Sequence, residues 1–287
     1  MRIAVIGGSG LVGEKLVHTL QRRGHEVIAA SRRSGVNTMT GEGLLHAIAG
    51  SHVIVDVTNS STLDGKSVVD FFRTSTRNLL AAAQSAHVKH HVVLSIVGTD
   101  RLLDSAYFRA KMIQEDLVRR SPAPHTILRS TQFFDFLRRI PEPTLDSTAV
   151  RVSPARVQPI AADEVAAALA DLAMAAPRNA MVEHAGPDIF HLDEIVRRVM
   201  SVAEDPRCVI ADPRARYFGA ELQSDSLTPD EGAIIGVTRF DEWLRQHAST
   251  LRAEGIPHPF RPSSKEPDFL TRTPRARDAR KILSLNR

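Results

Sequence analysis

The fold of this chain is decided by the stretch Ile3-Ala4-Val5-Ile6-Gly7-Gly8-Ser9-Gly10-Leu11-Val12-Gly13. The apolar run over residues 2–6 predicts a strand, and the spacing of apolar residues over 11–22 predicts an amphipathic helix. The glycines between them satisfy the pattern G-x-G-x-x-G, whose missing side chains let the backbone approach a pyrophosphate at the helix N-terminus. We therefore predict a dinucleotide site, with a plain structural turn as the alternative, on Gly7, Gly8, Ser9, Gly10, Leu11, Val12 and Gly13.

The residues after the second predicted strand (26–30) indicate which dinucleotide binds. An acidic residue there would bind the ribose 2′-hydroxyl of NAD, whereas this chain has Ser31, Arg32 and Arg33. Guanidinium and hydroxyl groups suit a dianionic 2′-phosphate, so we expect NADP(H) as the cofactor; a solvated turn is the alternative. Further cofactor contacts are expected at the end of a later strand, on Val57, Thr58 and Asn59.

Short apolar runs alternate with helical patterns through the first half of the chain, which predicts a parallel sheet covered by helices. Predicted strands cover residues 2–6, 26–30, 52–57, 90–96 and 125–129, with a weak third strand at 35–40, and predicted helices cover 11–22, 43–49, 67–86 and 105–119. We expect an α/β fold, a Rossmann-type doubly wound parallel sheet with a small C-terminal α/β substrate lobe. The predicted core is 1–148, and the lobe is 149–250, which could also pack with the core as one domain. Within the lobe we predict helices at 162–175, 192–202 and 237–250, a strand at 180–184 and extended chain at 150–160 and 207–211.

A pair of residues on the helix at 105–119 predicts catalysis. Tyr107 and Lys111 share one helix face, and an ammonium near a phenol is expected to lower its pKa, which would make Tyr107 a general acid. Ser95 ends a buried strand and is expected to bind the substrate carbonyl, while Lys111 is also expected to hold the nicotinamide ribose. The alternative is a helix surface that makes cofactor contacts only.

The segment after the strand at 125–129 is the candidate substrate pocket. Gln132, Phe133 and Phe134 follow the carboxyl end of that strand, where ligands bind in open α/β sheets. The apolar residues there, with Phe136, line either a pocket or the core. A turn-rich loop over residues 212–219 either closes over the pocket or lies on the surface. His87, His90 and His91 lack nearby cysteines or carboxylates, so no metal site is predicted.

These motifs together resemble the short-chain dehydrogenase/reductase superfamily, in its atypical NmrA-like branch of NAD(P)H-binding proteins. The resemblance covers residues 1–250 and rests on the segments at 7–13, 76–83, 91–98, 107–111, 128–134 and 158–165. It implies a Rossmann core with a small substrate lobe, and it places Ser95, Tyr107 and Lys111 at the positions of the superfamily's catalytic triad. One departure is Gly41-Glu42, where the branch usually has Gly-Asp near the adenine.

Composition excludes several other classes of protein. Residues 251–287 hold nine basic and four acidic side chains, so the basic character belongs to a tail that we expect to be solvated and disordered, and the remainder is nearly neutral. We therefore expect a small-molecule substrate, no nucleic acid and no membrane. The single cysteine, Cys208, and the lack of a signal-peptide pattern favour the cytoplasm. The oligomeric state is left open, with a homodimer among the alternatives.

Three functions are compatible with these residues. The first is an NADPH-dependent oxidoreductase that reduces a carbonyl, imine, quinone or activated alkene. The second is a redox sensor that binds NADP(H) without turnover and reports to a partner protein. The third is a nucleotide-sugar epimerase or dehydratase, against which Arg32 and Arg33 count, since those enzymes generally retain NAD.

Overall fold

The computed structural model, which describes residues 1–61, 65–143 and 148–254, is organised around a parallel sheet. In chain order the described elements are β1 (Arg2–Ile6), α1 (Leu11–Arg22), β2 (Glu26–Ala30), α2 (Leu44–Ile48), β3 (Val53–Asp56), α3 (Gly65–Ser85), β4 (His90–Ile96), α4 (Ala106–Arg120), β5 (His125–Ser130), β6 (Glu142–Pro143), β7 (Ala149–Val152), β8 (Arg156–Val157), α5 (Ala162–Met174), β9 (Ala180–Ala185), β10 (Phe190–His191), α6 (Leu192–Val202), β11 (Cys208–Ala211), β12 (Arg216–Tyr217), β13 (Ala220–Glu221), β14 (Ile234–Ile235) and α7 (Phe240–Glu254).

The order of the strands places a crevice beside β1. Among the described residues the sheet runs β2-β1-β3-β4-β5-β9-β14, and every neighbouring pair is parallel. The chain passes from β1 to β2 on one side and then returns to β3 on the other. Such a reversal opens a crevice at the carboxyl ends of the strands, where ligands of doubly wound sheets bind. The predicted Rossmann-type fold is confirmed.

Alternation within the central strands decides which helices cover each face. In β1, Ile3 and Val5 pack in one apolar cluster with α1 and α5, whereas Ala4 and Ile6 pack in another with α2 and α3. Val93 of β4 and Ile127 of β5 pack against Val118 of α4. Both faces are thus covered, as an all-parallel sheet requires. None of the described helices combines the length and apolarity needed to span a membrane.

The predicted and observed bounds agree for β1, α1, β2, β4 and α6, but the predicted third strand at 35–40 is wrong. That segment forms turns whose backbone hydrogen bonds are local, such as Gly41 N–H to the Asn37 carbonyl at 2.8 Å. Val36 is nevertheless buried and joins the apolar cluster under α2. An apolar side chain here anchors a loop. Because residues 35–40 form no strand, the strand predicted as the sixth is the fifth, β5, and β2 lies at the edge of the sheet.

The lobe is smaller than the segment that follows residue 148. α5 packs on α1 and β9 pairs with β5, so both belong to the central layers. The remaining lobe consists of the β6-β7-β11 sheet, two short strand pairs and the helices α6 and α7. All the described residues belong to one compact unit. α7 extends to Glu254, and the rest of the predicted tail lies outside the described residues.

A buried ion pair joins α4 to β5 beneath the carboxyl edge of the sheet. The Arg129 guanidinium binds both oxygens of Glu115, with Nε–Oε1 at 2.9 Å and Nη2–Oε2 at 2.8 Å. Glu115 is 0% exposed and Arg129 2% exposed. Arg129 also donates to Asp100 at 3.0 Å, which lowers the pKa of that carboxyl despite its partial burial. The loop after β4 is thereby tied to the strand beside it.

We predict that Arg129→Met lowers the free energy of unfolding by about 3–5 kcal/mol, because Glu115 would remain buried without its partner. Arg119→Met is the matched control, since Arg119 and Asp116 form an exposed pair at 2.7 Å whose loss costs less than about 1 kcal/mol. Urea unfolding followed by the fluorescence of Trp243, the only tryptophan, measures both. Equal losses in the two variants would contradict a structural role for the buried pair.

Candidate functional site

The glycine loop lies at the carboxyl ends of three strands. The N–H groups of Gly7 and Gly8 donate to the Ala30 carbonyl at 2.8 and 3.1 Å, and the Val57 N–H donates to the Ile6 carbonyl at 2.9 Å. Gly7 has φ +89°, and a Cβ there would lie 2.9 Å from the Val57 backbone; a Cβ on Gly13 would lie 2.2 Å from the Gly7 carbonyl oxygen. The turn from β1 into α1 therefore excludes larger residues at both positions.

Two cavities meet at this loop. The larger, of about 630 Å³, is lined by the loop, the carboxyl end of β4, the start of α4, the segment after β5 and the end of α7. The smaller, of about 330 Å³, is lined by the ends of β1 and β2 and the segment after β3. They share Gly7, Ser9, Thr58 and Asn59. A dinucleotide laid across the sheet edge would occupy both.

The predicted cofactor residues line these cavities, with one exception. The larger cavity is lined by Gly7, Ser9, Gly10, Leu11, Val12, Gly13, Val57, Thr58, Asn59, Ser95 and Lys111, and the smaller also by Ser31, Arg32 and Arg33. Gly8 lines neither, because it packs against β2, where a Cβ would lie 2.9 Å from the Ala29 Cα.

The conformation of Gly10 and the space around it show whether the loop has room for a pyrophosphate. It precedes α1 with φ −90° and ψ 175°, a conformation open to any residue, and a Cβ there would meet only the Gly7 carbonyl oxygen, at 3.4 Å. The packing of the chain therefore does not require glycine at this position. The space beside it opens into the larger cavity, where the first N–H groups of α1 are available to an anion. The loop fits a dinucleotide phosphate.

The smaller cavity is lined by basic and hydroxyl side chains. Arg32 and Arg33 are exposed, and neither guanidinium has a carboxylate partner among the described residues. No Asp or Glu occurs among the described residues that line this cavity. Glu42, which the resemblance places near the adenine, is exposed and does not line this cavity. The electrostatics of this cavity suit a phosphorylated ribose.

Tyr107 reaches the larger cavity from the first turn of α4. Its hydroxyl donates to Asn59 Oδ1 at 3.2 Å. Burial raises the pKa of Tyr107, and the hydrogen bond to Asn59 opposes this rise only in part. The expected lowering of this pKa by Lys111 is wrong. Tyr107 therefore keeps its proton at neutral pH and can act as a hydrogen-bond donor.

The Lys111 ammonium is held against the sheet. It donates to the Leu94 carbonyl at 2.8 Å and to Gln114, and it lies 4.8 Å from the centre of the Phe72 ring. Burial lowers the pKa of Lys111 to about 8, while Asp56 and Glu115 oppose the shift. Gln114 donates in turn to Asp56 at 2.9 Å. Sequence reasoning missed Asp56 and Gln114, although Asp56 ends a buried strand and Gln114 lies one helical turn after Lys111.

Ser95 lies on the wall of the larger cavity, but its hydroxyl is engaged elsewhere. It is fully buried and donates to Glu115 Oε1 at 2.5 Å. Glu115 is the partner of Arg129 described above. The expected presentation of the Ser95 hydroxyl to a substrate is therefore not observed, and this hydroxyl belongs to the polar network between α4 and β5.

The candidate substrate residues separate in the structure. Phe133 lines the larger cavity, whereas Phe134 is buried in the lobe core with its ring 5.4 Å from both Phe240 and Trp243, so its assignment to the pocket is wrong. Gln132 is buried and is not among the lining residues. Phe136, for which pocket and core were both open, lines the cavity, and the structure adds Trp243, which α7 brings there from a distant part of the chain.

The sequence of this chain is similar to a known family and to a curated protein. A model of the NAD(P)H-binding family matches residues 7–176. The chain is 25% identical over 168 residues to photosystem II assembly factor Ycf39 from Cyanophora paradoxa, an alignment that covers 53% of this chain and 52% of that protein. The chain thus spans about half the length of this curated relative.

Two solved structures show the same fold. A short-chain dehydrogenase/reductase superfamily protein from Agrobacterium tumefaciens with bound NAD is 16% identical with a TM-score of 0.65, over 88% of this chain and 98% of that one. An NADPH-dependent quinone oxidoreductase from Escherichia coli is 14% identical with a TM-score of 0.57, over 85% of this chain and 98% of that one. The expected atypical short-chain dehydrogenase/reductase fold is confirmed.

We predict that Gly10→Ala weakens NADPH binding by at least about tenfold, because a methyl group would occupy space that a phosphate needs. Fluorescence titration with NADPH measures the affinity, and thermal unfolding of the ligand-free variant should give the wild-type Tm. Gly13→Ala is the comparison, since its Cβ would collide with the Gly7 carbonyl and should lower the Tm. Unchanged NADPH affinity in Gly10→Ala would contradict the assignment of the loop.

Proposed function

Since the chain belongs to the NAD(P)H-binding family, we propose that it is an NADPH-dependent reductase of a carbonyl, imine, quinone or activated alkene. The position of Tyr107 carries the proposal. Tyr107 lines the same cavity as the glycine loop and Lys111, at the carboxyl edge of the sheet. A proton donor and a dinucleotide-sized cleft are thus adjacent, as reduction of a polar double bond requires.

The choice of NADP(H) over NAD(H) rests on the smaller cavity. Arg32 and Arg33 are exposed at its wall, and Ser31 adds a hydroxyl. Guanidinium groups without carboxylate partners among the described residues favour a dianionic 2′-phosphate over a neutral hydroxyl.

Different residues of the larger cavity have different roles in the proposed reduction. When bound, the cofactor would supply the hydride. Tyr107, which burial keeps protonated, donates a hydrogen bond and then a proton to the oxygen or nitrogen that gains negative charge. To do so, that hydroxyl exchanges its 3.2 Å hydrogen bond to the exposed-side acceptor Asn59 Oδ1 for one to the substrate, whereas the Ser95 hydroxyl is held by a buried carboxylate. Lys111 adds positive charge to the cavity where the charge develops. Ser95 has no direct role, because its hydroxyl donates to Glu115.

A second candidate, an NADP(H)-binding sensor without turnover, is favoured by the same arrangement of Ser95. With that hydroxyl engaged by Glu115 and the pKa of Tyr107 raised, the site has less acid–base capacity than the sequence suggests. This function predicts cofactor binding with no NADPH oxidation over a broad panel of substrates.

We predict that Arg32→Ala/Arg33→Ala weakens NADPH binding by at least about tenfold and changes NADH affinity little, because only NADPH carries the 2′-phosphate. Calorimetric titration measures both affinities. Arg22→Ala/Arg245→Ala is the control, since it removes the same charge from exposed positions outside both cavities. An equal loss for NADPH and NADH would contradict the assignment of the pair.

We predict that Tyr107→Phe lowers kcat by about 10²–10⁴-fold and leaves NADPH affinity and Tm near the wild-type values, because only the proton donor is removed. The assay follows NADPH oxidation against a library of carbonyls, quinones and imines. Undiminished turnover in the variant would exclude Tyr107 from the mechanism. If the wild type binds NADPH but oxidises none of it across the library, the sensor replaces the reductase.

A further inference from the structure

The β12–β13 hairpin carries an aromatic residue where the backbone disfavours one. Tyr217 pairs with Ala220, so Phe218 and Gly219 form a two-residue turn, and their φ angles are +49° and +88°. Turns of this kind favour Asn-Gly, because a side chain such as that of Phe is strained at positive φ by about 1 kcal/mol or more. Asn would relieve this backbone strain, so the contacts of the phenyl ring are what distinguish Phe at this position.

Side-chain contacts of two residues, Arg216 and Tyr217, stabilise the hairpin despite this strain. Arg216 bridges its strands, with Nη2 3.2 Å from Glu221 Oε1 and Nη1 donating to the Gly219 carbonyl at 2.9 Å. Tyr217 is buried in the lobe core, 6.1 Å from the Phe108 ring and 4.6 Å from the Phe218 ring. The tip is therefore a fixed part of the lobe.

The Phe218 ring bridges two residues of the larger cavity wall. Its centre lies 6.2 Å from the Tyr107 ring and 5.6 Å from the Phe136 ring, and both of those residues line the cavity. Tyr107 belongs to α4 and Phe136 to the segment after β5. Phe218 itself is not among the residues that line the cavity, so the hairpin packs behind the lining, against two elements of the core.

Aromatic side chains are concentrated at this wall. They make up only 5% of the chain, yet Tyr107, Phe133 and Phe136 line the larger cavity and each is partly exposed there. Phe218, also partly exposed, joins two of them. Aromatic faces and edges bind planar π systems more strongly than buried area alone accounts for.

We propose that Phe218 is a positioning residue for specificity: it holds the Tyr107 and Phe136 rings in an aromatic wall that selects ligands with a planar conjugated ring, the class of aryl carbonyls and quinones. The Tyr107 hydroxyl on the same wall would meet the oxygen carried by such a ring. Reduction of these ligands rests on the proposed function, but their selective binding does not.

The test compares flat and saturated ligands of similar size. Calorimetry would measure binding of 2-naphthol and of decahydro-2-naphthol in the presence of excess NADP⁺. The wild type should bind 2-naphthol at least about tenfold more tightly, a ratio that π contacts of this kind can supply. In Phe218→Asn the preference should fall to about twofold or less, because the ring is lost.

The design keeps folding and specificity apart. Asn tolerates the left-handed conformation, and this gain offsets part of the packing lost with the ring, so Phe218→Asn should fold cooperatively with a Tm at or somewhat below that of the wild type. Glu221→Gln is the control, since it weakens the exposed ion pair of the hairpin without changing the ring, and it should retain the preference.

Three results would overturn the proposal: equal affinities in the wild type, no binding of either ligand, or a preference that survives in Phe218→Asn. Turnover is measured separately, with 2-methyl-1,4-naphthoquinone as the oxidant of NADPH. If the wild type prefers 2-naphthol, Phe218→Asn does not, and no NADPH is oxidised, then the assignment of Phe218 stands and the reductase function fails.

Discussion

The close approach of α1 to the end of β1 is the constraint on which the rest of the site depends. A Cβ on Gly13 would lie 2.2 Å from the Gly7 carbonyl oxygen, so the helix can begin this near the strand only if residue 13 lacks a side chain. This close approach holds the N-terminus of α1 at the crevice where the strand order reverses. Both cavities open from that point, and the residues at the ends of β3 and β4 and the start of α4 face the same space.

Two polar networks behind this crevice have different consequences for the chemistry. Asp56, Gln114 and the Leu94 carbonyl hold the Lys111 ammonium at the cavity wall, where its charge can act on a ligand. Glu115, which is paired with Arg129, instead accepts the hydrogen bond of the Ser95 hydroxyl between α4 and β5. Buried polar groups need partners, and Glu115 finds one of its partners in the serine that the superfamily pattern assigns to the substrate. This leaves Tyr107 as the proton donor of the proposed mechanism.

The parts of the fold and site that could be predicted from the sequence are those set by local pattern. The strand, glycine loop and helix at residues 2–22 follow from periodicity and from glycine spacing, and so does the position of the cofactor cleft. The turns at residues 35–40 could not be predicted from the sequence pattern. Val36 is apolar and buried, as a strand residue would be, but its neighbours form hydrogen bonds within turns. Whether the Ser95 hydroxyl is available to a ligand depends on Glu115, which lies 20 residues away in the sequence. Which phenylalanine lines the pocket depends on α7, which covers Phe134 and leaves Phe133 at the cavity.

We propose that a nicotinamide dinucleotide phosphate binds across both cavities, with its phosphates at the start of α1. A crystal structure of the complex with NADP⁺ tests this most directly. We expect the pyrophosphate within hydrogen-bond distance of the backbone N–H groups that follow Gly10, and the 2′-phosphate against Arg32 or Arg33. A complex whose pyrophosphate lies away from the glycine loop, or whose 2′-phosphate contacts neither arginine, would contradict it.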